Sequence, residues 1–444
     1  MRGLVWVVIV LLAVACNGGG EAPRTATPAS SPSATPQATP TPTATARPVP
    51  SPTGTPTVAP TAALEIAYVG SDERDIWLVA ADGGSRRNLT QGRCPRLRGP
   101  YWSPKGDRIA CIATGSAAIP HTQVLVFDLE GRLILQIEHA AGSAGLSWPD
   151  MSGASPSSLW SPDGRFLAYV VVEAPLGKEG MREEHTPVLY VAHSSRGILT
   201  SMPNRQQPRW SPDSSRLAYN RPPGETLVVY ALATGREEAL GEDMRPLAWV
   251  FRGKKLLVAA DYQEQELGAT YEANLLDLAS GQMTRVPQLD NSTQFWLSPD
   301  GITAVVLRPS AGRPSLGILN LSSLEFTPIP GSVISYPSDF IPQSQLAFSA
   351  NGSQIYWFDG SDAIHKADID DGSLTQVGRL AGDFFLAFSP DLTRVLYLVL
   401  SDAPPAAPGG PLPWNLWVAN IDGSDARLVA ENAAGAVWRP PPTP

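Results

Sequence analysis

The sequence predicts an all-β fold: a β-propeller of eight four-stranded antiparallel blades, closed by strands from its N- and C-terminal ends sharing a blade. Three observations predict it. One phrase recurs at blade-length spacing, each copy has the chemistry of a hairpin, and the two ends of the array are complementary halves of one unit.

The phrase reads YWSPKGDRIACIA at 101, LWSPDGRFLAYVV at 159 and RWSPDSSRLAYNR at 209. Weaker copies are AWVFRGKKLLVAA at 248, WLSPDGITAVVL at 296, AFSANGSQIYWF at 347 and AFSPDLTRVLYLV at 387. Its anchor falls at Trp102, Trp160, Trp210, Trp249, Leu297, Phe348 and Phe388, with a last partial copy at Trp438. Successive spacings of 58, 50, 39, 48, 51, 40 and 50 residues match the length of a propeller blade.

Locally, a strand ends on the anchor and Ser-Pro-Asp-Gly follows. Pro pre-sets φ at the second position of a type I turn, and Gly supplies the left-handed residue that closes a tight hairpin. The next strand is apolar and β-branched or aromatic, as in Phe166-Leu167-Ala168-Tyr169-Val170-Val171. A second phrase follows within the units: DIWLVAADGGSRRNLT at 75, QVLVFDLEGRLILQI at 123, TLVVYALATGREEAL at 226 and NLWVANIDGSDARLV at 415. Each is strand, Gly-containing turn, strand, so every unit has four strands, A to D. Residues 64–99 supply B, C and D without an A, and the segment around Trp438 supplies an A with nothing after it. Joining them completes the eighth blade and hides both sheet edges. Tyr336 in place of Phe348 as an anchor leaves that count unchanged; seven blades is the alternative.

A chain of 444 residues ordinarily suggests two or three domains, but a repeat array builds one large ring. Hydrophobic residues make up 43%, charged residues only 17%, and the net charge is −9 without a basic cluster. Nucleic acid and an anionic bilayer both demand Lys/Arg density, which excludes them as partners of the folded part.

The N-terminus reads as an address and a tether. One Arg precedes an apolar run from Leu4 to Val14, too short to span a bilayer and laid out like a secretory signal. Ala13-Val14-Ala15 then precede Cys16, and the segment resembles the lipobox of bacterial lipoproteins. That resemblance implies a lipidated Cys16 as the mature N-terminus, on an exported chain anchored to the outer face of a cell-envelope membrane. Ala13 stands where Leu is commonest. Residues 17–63 form a tract rich in Pro, Thr, Ala and Ser that lacks the apolar surface to offset the entropy of ordering, and is expected to act as a disordered, semi-extended stalk. The propeller domain is 64–444.

Two further cysteines, Cys94 and Cys111, lie before and after one predicted hairpin turn. An exported protein sits where disulfides persist, so a bridge is sterically open to them. The alternative is a buried thiol at Cys111 and a free or partly covered one at Cys94.

The sequence shows no GxSxG elbow, HExxH, CxxC, P-loop or dinucleotide fingerprint, and implies no cofactor and no metal. Asp163, Asp213, Asp300 and Asp391 recur in the turns, where bonding to the local backbone explains them. Asp368-Ile369-Asp370-Asp371-Gly372 lacks the spaced ligands of a calcium loop and reads as a turn. Of the five histidines, His121, His139, His185, His193 and His365, the first three fall in or beside the long connections; a cluster there could bind a metal, but no spacing requires it and they read as solvated loop residues.

The Trp-Ser-Pro-Asp-Gly phrase and its downstream strand resemble the repeats of TolB-type propellers, also found in the propeller domains of prolyl oligopeptidases and dipeptidyl peptidases. The likeness covers nearly all of 64–440. TolB-type proteins have six blades and a small α/β domain ahead of them; here eight blades are counted and the stalk holds that place.

Strand alternation sends the tight A–B and C–D turns to one face of the ring. The long B–C connections 114–122, 173–187, 261–272 and 401–414, and the D–A connections 91–99 and 139–158, go to the other. That loop-bearing face is the expected binding face. The functional expectation is a monomeric, tethered binding module for a protein, peptide or glycan. The alternative is a hydrolase or lyase acting on an extracellular polymer, with its site at the channel mouth.

Overall fold

In the computed structural model the chain divides into two units, Met1–Ala59 and Pro60–Pro444. The structure describes residues 64–441 except 96, 115–121, 140–142, 148–158, 174–185, 266–267, 292–293, 309–313, 335–344 and 402–412. The signal, the stalk, Cys16, His121, His185 and Tyr336 lie outside the described residues.

Among the described residues, thirty-two strands, β1 (Glu65–Gly70) to β32 (Ala433–Trp438), form eight antiparallel four-stranded sheets arranged in a ring. The closing blade places β32 beside β1, with Ile66 opposite Trp438 and Tyr68 opposite Ala436. Where the other blades carry an A–B turn, this one carries two strand ends, so residue 64 enters the ring on the tight-turn face. Arg439 fastens the seam, its N–H donating to the Glu65 carbonyl at 2.8 Å and its Nη1 to Glu65 Oε2 at 3.0 Å.

The core is a set of layers between sheets. Successive side chains of a strand point to opposite faces, so β1 sends Ile66 and Tyr68 toward the last blade and Ala67 and Val69 toward the second. Likewise β5 (Arg108–Thr114) sends Ile109 and Cys111 one way, Ala110 and Ile112 the other. Eight such apolar clusters occur, one between each pair of neighbouring blades around the closed ring. The B strands read as continuous apolar runs because both of their faces are buried. The fourth strands lie outermost: Ile198 and Leu199 of β11 (Gly197–Pro203) are 46% and 55% exposed.

Two segments depart from the sequence reading. Residues 139–158 were expected as a D–A loop, but Ser143–Ser147 is a strand, β8, pairing with β9 (Phe166–Glu173). Trp160 rejoins the same edge through a bridge to Leu167. Strand A of the third blade is thus split, which accounts for the longest repeat spacing. Residues 261–272 were expected as a B–C loop, yet β17 (Lys255–Gln265) and β18 (Gly268–Asp277) continue pairing through Gln263↔Thr270 and Gln265↔Gly268. This connection is an elongated hairpin.

Candidate ligand site at the tight-turn mouth of the ring

The repeated turn is a closed hydrogen-bond circuit. In the third blade the Ser161 hydroxyl donates to Asp163 Oδ1 at 2.7 Å, Asp163 accepts the Arg165 N–H at 3.0 Å, and Ser161 Oγ accepts the Phe166 N–H at 2.9 Å. The same circuit joins Ser211 with Asp213, Ser298 with Asp300, and Ser389 with Asp391. Asn351 replaces the Asp in the seventh blade, accepting from Ser349 at 2.7 Å. Burial opposes ionisation of Asp163, Asp213, Asp300 and Asp391. The serine hydroxyls and turn N–H groups outweigh it and hold all four carboxyls below their ordinary value.

The anchor tryptophans tie blade to blade. Trp160 Nε1 donates to the Tyr101 carbonyl at 3.1 Å, Trp249 Nε1 to that of Arg209 at 2.8 Å, and Trp438 Nε1 to that of Ala387 at 3.3 Å. In each case the acceptor immediately precedes the anchor of the neighbouring blade. The first strands are thus brought together around the channel, and the turns that follow them form its rim.

At that rim lies a cavity of about 460 Å³, walled by five consecutive blades. Trp160, Trp210 and Trp249 line it with the proline rings Pro104, Pro162, Pro212 and Pro299. Leu297, which stands where blades two to five carry Trp, also faces it. The ionisable groups of the lining are Arg209, Arg252 and Asp300. Arg209 is 5% exposed and donates to the Leu247 and Pro208 carbonyls. Asp300 is committed to its own turn. A volume within the range of small-ligand sites, apolar walls and few polar groups suit binding.

This cavity is on the face opposite the one expected from loop length. Of the four B–C connections expected there, 115–121, 174–185 and 402–412 lie outside the described residues, and 261–265 and 268–272 are strand. Loop length pointed away from the cavity because its wall residues, spread from Pro104 to Gly301, come together only when the ring closes.

Cys94 and Cys111 are both fully buried, and a disulfide joins them, clipping the D–A connection of the first blade to β5. His139, expected to be solvated, is 4% exposed at the end of β7 (Leu133–His139). Its Nε2 lies 3.1 Å from the Tyr169 hydroxyl and its ring meets Tyr190 edge-on, so it is a packing element between blades. His365 Nε2 lies 3.3 Å from Asp359 Oδ2, and its ring stacks on Trp357. Asp368 and Asp371 bond to the backbone of their own turn. Among the described residues no cluster of three or more His, Cys, Asp or Glu side chains is placed to hold a metal.

No protein-family model matches the chain, and no curated protein does. Among solved structures, a eukaryotic initiation factor superposes with TM-score 0.52 at 18% identity, covering 86% of this chain and all of that one. A prolyl endopeptidase superposes at 0.48 and 12% identity, covering 76% of this chain and half of its own. TolB from Acinetobacter baumannii gives 0.32 at 16%, over 74% and 81%. The first likeness supports the propeller fold and nothing finer; the other two are too loose to carry an argument.

Proposed function

We propose that this chain is a membrane-tethered, extracytoplasmic binding module of TolB-like repeat type, and that its ligand site is the cavity at the tight-turn mouth of the ring. The observation that carries this reading is the lining: three tryptophans, four prolines and one carboxylate, Asp300, already spent on its own turn. Hydrolysis of a glycosidic polymer commonly takes two carboxylates flanking the bond, one of them with a raised pKa. Asp300 stands alone in the lining and its carboxyl is held low, which weighs against a glycoside hydrolase there. Tethering rests on the signal-like segment ending at Cys16.

The test fills the cavity without touching the loops. Leu297→Trp restores the residue that blades two to five carry and occupies the space. A partner recovered from detergent-solubilised membranes by the full chain, and lost with Leu297→Trp, supports the site. A partner that survives Leu297→Trp but is lost when 173–187 or 401–414 is shortened to a Gly-Ser linker places binding on the loop-bearing face instead.

A further inference from the structure

We propose that the turn of the fifth blade, Val250–Lys255, is the specificity element of this cavity, and that Arg252 reads a carboxylate on an otherwise apolar peptide segment seated there. The inference rests on the cavity being the ligand site.

The turn breaks the repeat where the repeat is most uniform. Val250 stands in the place of the circuit serine and Arg252 in the place of the circuit aspartate. Neither can rebuild the circuit: Val has no hydroxyl, and Arg has no acceptor. The backbone departs with the side chains. Phe251, Arg252 and Gly253 have φ of 50°, 54° and 84°, three left-handed residues in succession. A bulky residue in that region is an outlier, and such conformations persist where the surroundings impose them, often at ligand sites. Here both neighbouring blades impose it. The Phe251 N–H donates to the Gly301 carbonyl at 3.2 Å on one side, and Arg216 Nη2 donates to the Gly253 carbonyl at 2.8 Å on the other. A Cβ at Gly301 would stand 3.2 Å from Phe251 N and Val250 Cα, so the two turns are seated directly on each other.

The outcome is an exposed guanidinium on the cavity lining. Among the described residues Arg252 makes no hydrogen bond and no ion pair, whereas Arg209 is bonded to two carbonyls. Asp300, bonded to its own turn through Oδ1, is near enough to feel the Arg252 charge. The lining therefore presents an exposed guanidinium with no hydrogen-bond partner, beside an Asp300 carboxylate held by its own turn, against which a ligand carboxylate competes for it. A planar guanidinium suits a carboxylate, which it can meet with two parallel N–H bonds. The rest of the wall favours a peptide over a sugar. Trp160 and Trp249 are 1% and 7% exposed, and the partly buried Trp210 is stacked on Phe166, so the lining offers few open ring faces to a sugar. Proline rings and indole edges remain, the kind of surface that grips an extended apolar chain.

The test uses the full chain immobilised from detergent, and end-capped pentapeptide pools with Glu, Gln or Lys fixed at the centre and Pro, Ala, Val or Leu around it. The Glu pool should be retained about tenfold more strongly than the Gln and Lys pools, the scale of one charge-assisted hydrogen-bonded contact. Arg252→Asp, which restores the repeat residue, should erase that preference, and Arg252→Lys should keep part of it. Circular dichroism verifies the fold of each variant. Equal retention of the Glu and Gln pools, lost in Leu297→Trp, would overturn the carboxylate reading while leaving the cavity as the site. Retention indifferent to Leu297→Trp would overturn the cavity and this proposal with it, as would no retention of any pool. Arg252-dependent retention of oligogalacturonate with no peptide pool held would overturn the peptide class.

Discussion

Changing Trp160 or Trp249 to Phe should cost more stability than the same change at Trp210, and the difference measures the bond that ties one blade to the next. Trp160 and Trp249 donate to carbonyls of the preceding blade at 3.1 and 2.8 Å, whereas the buried Trp210 Nε1 has no acceptor among the described residues. Replacing indole by phenyl removes apolar area worth about 1 kcal/mol at the buried Trp160 and Trp249, rather less at the partly buried Trp210, and somewhat more where a void is left. At Trp160 and Trp249 it also removes a buried hydrogen bond, a further cost of about 1–3 kcal/mol. The totals are then about 2–4 kcal/mol at those two sites against about 1 kcal/mol at Trp210, where an unpaired buried donor disappears with the indole. Urea unfolding followed by far-UV circular dichroism reads the difference as a gap in midpoint of roughly half a molar, provided the slope m is unchanged. Three equal midpoint shifts would show that the indole N–H groups contribute nothing and that the tryptophans act by volume alone.

Deleting residues 434–444 removes most of β32, exposes two sheet edges and should lower stability by several kcal/mol or more, roughly the scale of breaking a core layer; unchanged melting would refute that role for the seam. Cys16→Ser should move the protein from the membrane to the soluble exported fraction, read by fractionation, and full membrane retention would sink lipidation at that residue. Reducing the Cys94–Cys111 bridge, which spans 17 residues, should cost about 3 kcal/mol on chain-entropy grounds, read as a lower urea midpoint in reductant. The four turn carboxyls are held below their ordinary value of 3.8, so their stabilisation is complete above about pH 4 and is lost as pH falls through their lower folded values. Asp→Asn at 163, 213, 300 and 391 keeps the acceptor, as Asn351 already does, and should flatten the acid limb of a pH–stability curve while leaving the neutral region little changed.

The blade count was legible because its signal is chemical and local. A turn that needs Pro, a side-chain acceptor and a left-handed residue prints the same letters each time, and two half-units at the ends admit one closure. What was not legible depends on closure itself. The first strand of the third blade, Ser-Ala-Gly-Leu-Ser, has neither alternation nor β-branched residues, and it becomes a strand only because β9 offers an edge beside it. The hairpin at 261–272 carries Asp, Gln and Glu, so it reads as a loop until Tyr262 and Tyr271 are seen stacked across it, with Arg245 over the Tyr262 ring. The candidate site hides for the same reason, since its wall is drawn from turns that look interchangeable. The informative letters were the two that spoiled the fifth copy, Val250 and Arg252. In a repeat whose serine and aspartate are consumed by their own turn, a copy that loses both has a side chain to spare, and here it stands at the mouth of the ring.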